Sequence, residues 1–225
     1  SKPCLQDVVA VLGLWLPLNL RYVGVRYGPG SFDSDNAFVA LSAIVLSIVL
    51  WRDFRKLPGM KLGYDRNLKD LSVLLQTLAV LVLVLVPLAS SLDFAQPKPE
   101  LTGSFLQMSW AVITRLFSPR FAYSLITVAF TIALSEELLF RGLIQNFFQE
   151  NMADKLSALI LASAIFGLSH FNKRGGDAYN WNWKYIGLAM IAGVAYGFVY
   201  RKTKSLLYPV LLHASVDAIW RTFFH

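Results

Sequence analysis

The chain has little charge, almost no cysteine and few histidines, and each shortage excludes something. Only 16% of its 225 residues are Asp, Glu, Lys or Arg, against roughly 25% in an ordinary soluble domain. With 56% hydrophobic residues and a mean hydropathy of +0.51, it carries more apolar side chain than a soluble core of this size buries. The single cysteine, Cys4, excludes an intrachain disulfide and a cysteine-based metal site. It also lacks the polar companions that activate a nucleophilic thiol. No repeat, low-complexity tract or strand-like alternation is present.

What is present is a series of long runs nearly free of charge, the pattern of membrane spans. They fall at Val8–Leu20, Ala37–Trp51, Leu71–Leu92, Phe121–Gln149, Leu156–His170, Tyr185–Tyr200 and Leu206–Phe224. Phe105–Phe117 reads either as a short span or as a helix lying in the interface. The expected fold is all-α, a polytopic transmembrane bundle of about seven or eight helices forming a single membrane domain over residues 1–225. Val8–Leu20 lacks a small-residue cleavage site and precedes further spans, so a cleavable signal peptide is not expected there. Small residues between Tyr185 and Tyr200 (Gly187, Ala189, Ala192, Gly193, Ala195 and Gly197) suit close helix contact.

The formal net charge is +7. Because the basic residues sit between apolar runs, they point to membrane lipid and cytoplasmic loops as partners rather than to nucleic acid. The segment from Arg52 to Lys69 holds six cations (Arg52, Arg55, Lys56, Lys61, Arg66 and Lys69) against Asp53 and Asp65. The positive-inside rule predicts that it is cytoplasmic. Asn172–Lys184 reads as a polar loop, with Trp181, Trp183 and Tyr185 suited to an interfacial belt.

Ionisable residues inside apolar runs cost at least about 2.5–3.5 kcal/mol on insertion scales, so those present are informative. Glu136, Glu137 and Arg141 lie within one long apolar helix. Glu137 and Arg141, four apart, share a face and suit an ion pair. Glu136 points about 100° away and is left for chemistry. A helix end among lipid headgroups would also explain this cluster. Phe166 and His170 close another apolar run, and His213 and Asp217 share a face of the last helix, where Asp217 could orient the imidazole or share a metal. Two of the three histidines thus lie in apolar segments with the other buried polar groups. A Glu, two His and an Asp from three helices can converge in one bundle-core site. Two His plus a carboxylate also make a catalytic zinc set. A buried Glu could instead act as general base without metal. No His-Glu-x-x-His run occurs.

Glu136-Glu137-x-x-x-Arg141, Phe166-x-x-x-His170 and His213-x-x-x-Asp217 together resemble the three motifs of the CAAX protease and bacteriocin-processing family of intramembrane endopeptidases. The wording SEELLFRGLIQ around the first motif is close to typical, and the resemblance covers roughly Ile126 to Trp220. It implies that Glu136 and His170 activate water. It assigns His213 and Asp217 to metal binding or oxyanion stabilisation, with Glu137, Arg141 and Phe166 in support. As a metal set the four residues are Glu136, His170, His213 and Asp217, with zinc the candidate ion. Asp217 stands where the family often has Asn. An ionised Asp has no N–H for an oxyanion, which shifts weight to metal binding or imidazole orientation. The implied substrate is a membrane-anchored or lipidated peptide, such as a prenylated CAAX tail. The competing expectation is a non-enzymatic membrane protein, either a proton or ion relay or an immunity or scaffold protein.

Overall fold

The computed structural model of the protein describes residues 68–101, 103–170 and 182–224, together with Gln6 and Val9. The expected segments Val8–Leu20 and Ala37–Trp51, the basic stretch from Arg52 as far as Asn67, the loop from Asn172 to Trp181, Cys4 and His225 lie outside the described residues.

Six helices make up the described bundle: α1 (Leu68–Ser91), α2 (Phe105–Leu116), α3 (Pro119–Asn151), α4 (Lys155–Leu168), α5 (Trp183–Thr203) and α6 (Leu207–Phe223). No strand occurs among the described residues; one isolated bridge joins Pro97 to Phe224. Six of the eight apolar segments read from the sequence are therefore helical, with ends shifted by a few residues.

The helix starts follow capping chemistry. Ser118 accepts a hydrogen bond from the Phe121 N–H and is followed by Pro119 at the first helical position. Asp154 accepts from the Leu156 and Ser157 N–H groups. Hydrogen bonds from the Ser157 hydroxyl and from these two amides hold its carboxyl below the usual range. Asn182 caps α5 by accepting from the Tyr185 N–H. Lys204, at φ 54°, ends that helix in the left-handed conformation.

α1 and α3 are long and apolar enough to cross a membrane. The bundle's outer surface is apolar as well: Leu75, Leu83, Ile126, Phe130, Ile160 and Phe198 are all exposed. Water would penalise such a surface and hydrocarbon does not. α2 has 12 residues, a rise of about 18 Å, and none of them is buried. Beside it, Arg115 donates to the Thr222 carbonyl at 3.4 Å. Lys98 donates to the carbonyls of Arg221 and Thr222 at 2.7 and 3.1 Å. Two cations thus cap the last turn of α6 and tie the α1–α2 connection to it.

Lys98 after α1 and Arg115 at the end of α2 meet the same turn of α6, so α3 starts at the end where α1 finishes. One end of the bundle holds the C-termini of α1, α4 and α6. The other holds the N-termini of α1, α4 and α6 with the C-termini of α3 and α5. α5 lies against α1, α4 and α6, with its most extensive contact on α4.

Glycines permit that contact. A Cβ on Gly167 would lie 2.8 Å from the Ile186 carbonyl oxygen, and one on Gly197 would lie 2.3 Å from Leu159 Cδ1 and 2.5 Å from Gln145 Oε1. Gly187, expected from sequence to serve the same close approach, has nothing within 4 Å of that position. Gly197→Ala should therefore destabilise the protein by about 1–3 kcal/mol through overpacking. Gly187→Ala should be neutral or slightly stabilising, since Ala is the better helix former. Thermal unfolding of the two variants in detergent checks the contrast; equal losses would contradict it.

Candidate active site

α3 is not a uniform α-helix. Two π-helical stretches, Ala129–Ala133 and Leu138–Gln145, flank the α-helical turn Leu134–Glu137. Such widened turns disturb the regular carbonyl ladder and concentrate at functional sites. Side-chain hydroxyls answer part of that disturbance: Thr131 donates to the Thr127 carbonyl at 2.7 Å and Ser135 to that of Ile132 at 2.8 Å. Glu136 and Glu137 stand at the end of the turn between the two stretches.

Glu137 is fully buried. Its Oε1 accepts from Arg141 Nη1 at 2.9 Å and lies 2.9 Å from His213 Nδ1. The Arg141 guanidinium, 1% exposed, also donates through Nη2 to the Gly193 carbonyl at 3.0 Å. It lies over the rings of Phe166 and Tyr196, 4.5 and 5.2 Å from their centroids. The ion pair outweighs the other contacts. A desolvated cation–π contact contributes about 2 kcal/mol, whereas breaking a buried ion pair costs about 3–5 kcal/mol.

The polar contact continues along α3. Gln145 Nε2 donates to the Gly197 carbonyl at 3.1 Å, and Asn146 Nδ2 to the Tyr200 hydroxyl at 2.8 Å. Glycine at 197 leaves room for the Gln145 side chain against α5.

Glu136 faces the other way. Its Oε2 lies 3.7 Å from His170 Nε2 and 4.0 Å from His213 Nε2, too far for direct hydrogen bonds. That oxygen is buried and has no hydrogen-bond partner among the described residues. His170 sits in the turn after α4. Its Nδ1 is 2.7 Å from the Phe166 carbonyl, which can only accept, so Nδ1 carries the proton. His213 Nδ1 faces the Glu137 carboxylate and carries its proton for the same reason. Both imidazoles therefore turn Nε2 towards Glu136.

His213 also stacks on Tyr196, with ring centroids 4.7 Å apart at 18°, and Phe166 meets it edge-on at 6.0 Å. His170, Tyr196, His213 and Asp217 line, with Leu85 and Phe166 among others, a cavity of about 100 Å³. Its walls come from α1, α4, α5 and α6. Glu136 reaches it through the two imidazoles.

The structure thus brings Glu136, His170 and His213 together, with Phe166 packed between the two histidines. It alters one expectation. Asp217 Oδ1 lies 3.9 Å from His213 Nε2, so the group that orients the imidazole through Nδ1 is Glu137, not Asp217. Glu136 approaches each imidazole in turn and Asp217 approaches only His213. No three His, Cys, Asp or Glu side chains among the described residues are placed to hold one ion. Tyr196 and Gln145 carried no sequence signal beyond a polar group in an apolar run.

These features define a helical, membrane-compatible protein with a buried carboxylate–imidazole cluster between its helices. Over residues 118–219 the sequence matches the family described as type II CAAX prenyl endopeptidase Rce1-like. That match contains all three motifs and supports a place in the CAAX protease and bacteriocin-processing family. No curated protein and no solved structure matches it.

Arg141→Ala would leave the Glu137 carboxylate buried without its countercharge. The expected loss is about 3–5 kcal/mol of stability. Arg141→Lys, which keeps the charge but cannot reach both Glu137 and Gly193 with a planar fork, should lose less. Unfolding of both variants in detergent reads the difference, and a stable Arg141→Ala protein would show that the pair does not hold the bundle.

Proposed function

We propose that the protein is an intramembrane endopeptidase acting on a membrane-anchored or lipidated peptide, with Glu136 as the base that activates water. The observation that carries this reading is the buried, hydrogen-bond-free Oε2 of Glu136 facing Nε2 of two imidazoles. Three acceptors turned on one another are satisfied by a species that brings protons, and water is the smallest such species.

In the reaction, Glu136 takes a proton from water while His170 Nε2 accepts the other as a hydrogen bond. The hydroxide attacks the peptide carbonyl carbon. His213, when protonated, offers Nε2–H to the developing oxyanion, while Glu137 holds the ring by Nδ1 and balances its charge. Glu136 then returns its proton to the leaving nitrogen, the C–N bond breaks, and the new carboxylic acid gives up the second water proton to the amine, so that a carboxylate and an ammonium group are released. These steps are written with the chain's own side chains and water alone. Asp217, the most exposed of the site's charged groups, stands at the cavity wall where the substrate backbone would pass. The apolar surroundings and the family match support a substrate delivered from the bilayer.

Glu136→Gln keeps the shape and removes the base. Cleavage of prenylated or otherwise anchored peptides by the purified variant should fall about 10²–10⁴-fold, with thermal unfolding unchanged. Full retained cleavage would remove Glu136 from the mechanism. Cleavage by the wild type that is lost to a chelator and restored by zinc would replace the metal-free route. A wild type that binds the peptides without cleaving them would favour a relay or scaffold.

A further inference from the structure

A second cavity lies at the opposite end of α4 from His170, where α3 and α5 finish and α4 begins. It measures about 550 Å³, within the roughly 300–1,000 Å³ of small-molecule sites. Four cations line it, Lys155, Arg201, Lys202 and Lys204, against one anion, Glu150. Asp154 lies near Arg201 and is occupied in capping α4, so cations outnumber anions by two. Gln149 also lines the cavity, and its side-chain amide Nε2 is buried with no hydrogen-bond partner among the described residues. An unanswered N–H donor beside a surplus of cations calls for an anionic oxygen.

The rim is apolar: Leu156 and Phe198, both lining residues, are 56% and 39% exposed. Lys202 lies over the Phe198 ring, 5.7 Å from its centroid. Cations beside outward-facing apolar side chains suit a phosphate that carries an acyl tail better than a free one.

Topology agrees. This end of the bundle also carries the start of α1, which follows directly on the basic segment from Arg52 to Lys69 in the sequence. By the positive-inside rule, basic side chains at this end favour the cytoplasmic side, whose leaflet is the one rich in anionic lipid.

We infer that this cavity binds the phosphate headgroup of an anionic phospholipid, with Arg201, Lys202 and Lys204 on the phosphate, the Gln149 amide on one of its oxygens, and the acyl chains along Leu156 and Phe198. The site is separate from the carboxylate–imidazole cavity and does not depend on the reading of that cavity.

The test is native mass spectrometry and lipid titration of the purified full chain in detergent, offering phosphatidylglycerol and phosphatidylcholine in equal amounts. Preferential retention of phosphatidylglycerol is expected. It should weaken about tenfold or more in Lys202→Gln/Lys204→Gln, which alters no buried contact, and strengthen in Glu150→Gln. Equal retention of the two lipids, or unchanged retention in the double variant with its unfolding temperature preserved, would overturn the site. Displacement of phosphatidylglycerol by millimolar inorganic phosphate would overturn the lipid assignment in favour of a soluble phosphate ligand.

Discussion

The site depends on one carboxylate oxygen. Glu137 Oε1 receives Arg141 from its own helix and His213 from α6, each at 2.9 Å. A charge this deeply buried is tolerated only with its partners in place, so the requirement is mutual. Arg141 needs Glu137 for its countercharge and Gly193 for its second N–H. Glu137 needs Arg141, and His213 takes its orientation from the pair. α3, α5 and α6 are fixed relative to one another by the same few atoms that aim His213 Nε2 at Glu136. Stability and orientation are not separable here: loosening the pair loosens the imidazole.

The second constraint is close packing without bulk. Gln145 reaches the α5 backbone because position 197 is glycine, and α4 sits against α5 because 167 and 193 are glycine as well, a Cβ on Gly193 meeting Phe166 and Ser163. In hydrocarbon, no hydrophobic force gathers helices, so van der Waals packing and interhelical hydrogen bonds must do it. The Arg141, Gln145 and Asn146 contacts supply the hydrogen bonds. The glycines supply the proximity, which also brings Phe166 and His170 of the α4 end against Tyr196 and His213.

Much of this was legible in the sequence because the apolar runs are long and the exceptions few. α3, α5 and α6 are marked by length and composition, and Glu136, His170 and His213 by being ionisable where ionisable groups are costly. The Glu137–Arg141 pair follows from four-residue spacing. What spacing could not reveal was anything that depends on a second helix. Asp217 shares a face with His213 and so is the local candidate to orient it, yet the orienting group is Glu137, 76 positions earlier. Nor does composition announce the π-helical turns, which change where α3's side chains point on either side of Glu136.

Consecutive glutamates invite the question of why one should be structural and the other chemical. Burial and partners separate them. Glu137 has no exposure and binds two donors directly, so its charge is spent on holding its neighbours. Each glutamate has one buried oxygen that accepts nothing among the described residues, but that of Glu136, which retains 17% side-chain exposure, faces the Nε2 atoms of two imidazoles. Adjacent positions on a helix diverge by about 100°, which sends one carboxylate to His213 Nδ1 and the other towards its Nε2. A single imidazole is thereby addressed from both sides by one helical turn. The side that is hydrogen-bonded fixes the tautomer, and the side that is not remains available to exchange a proton.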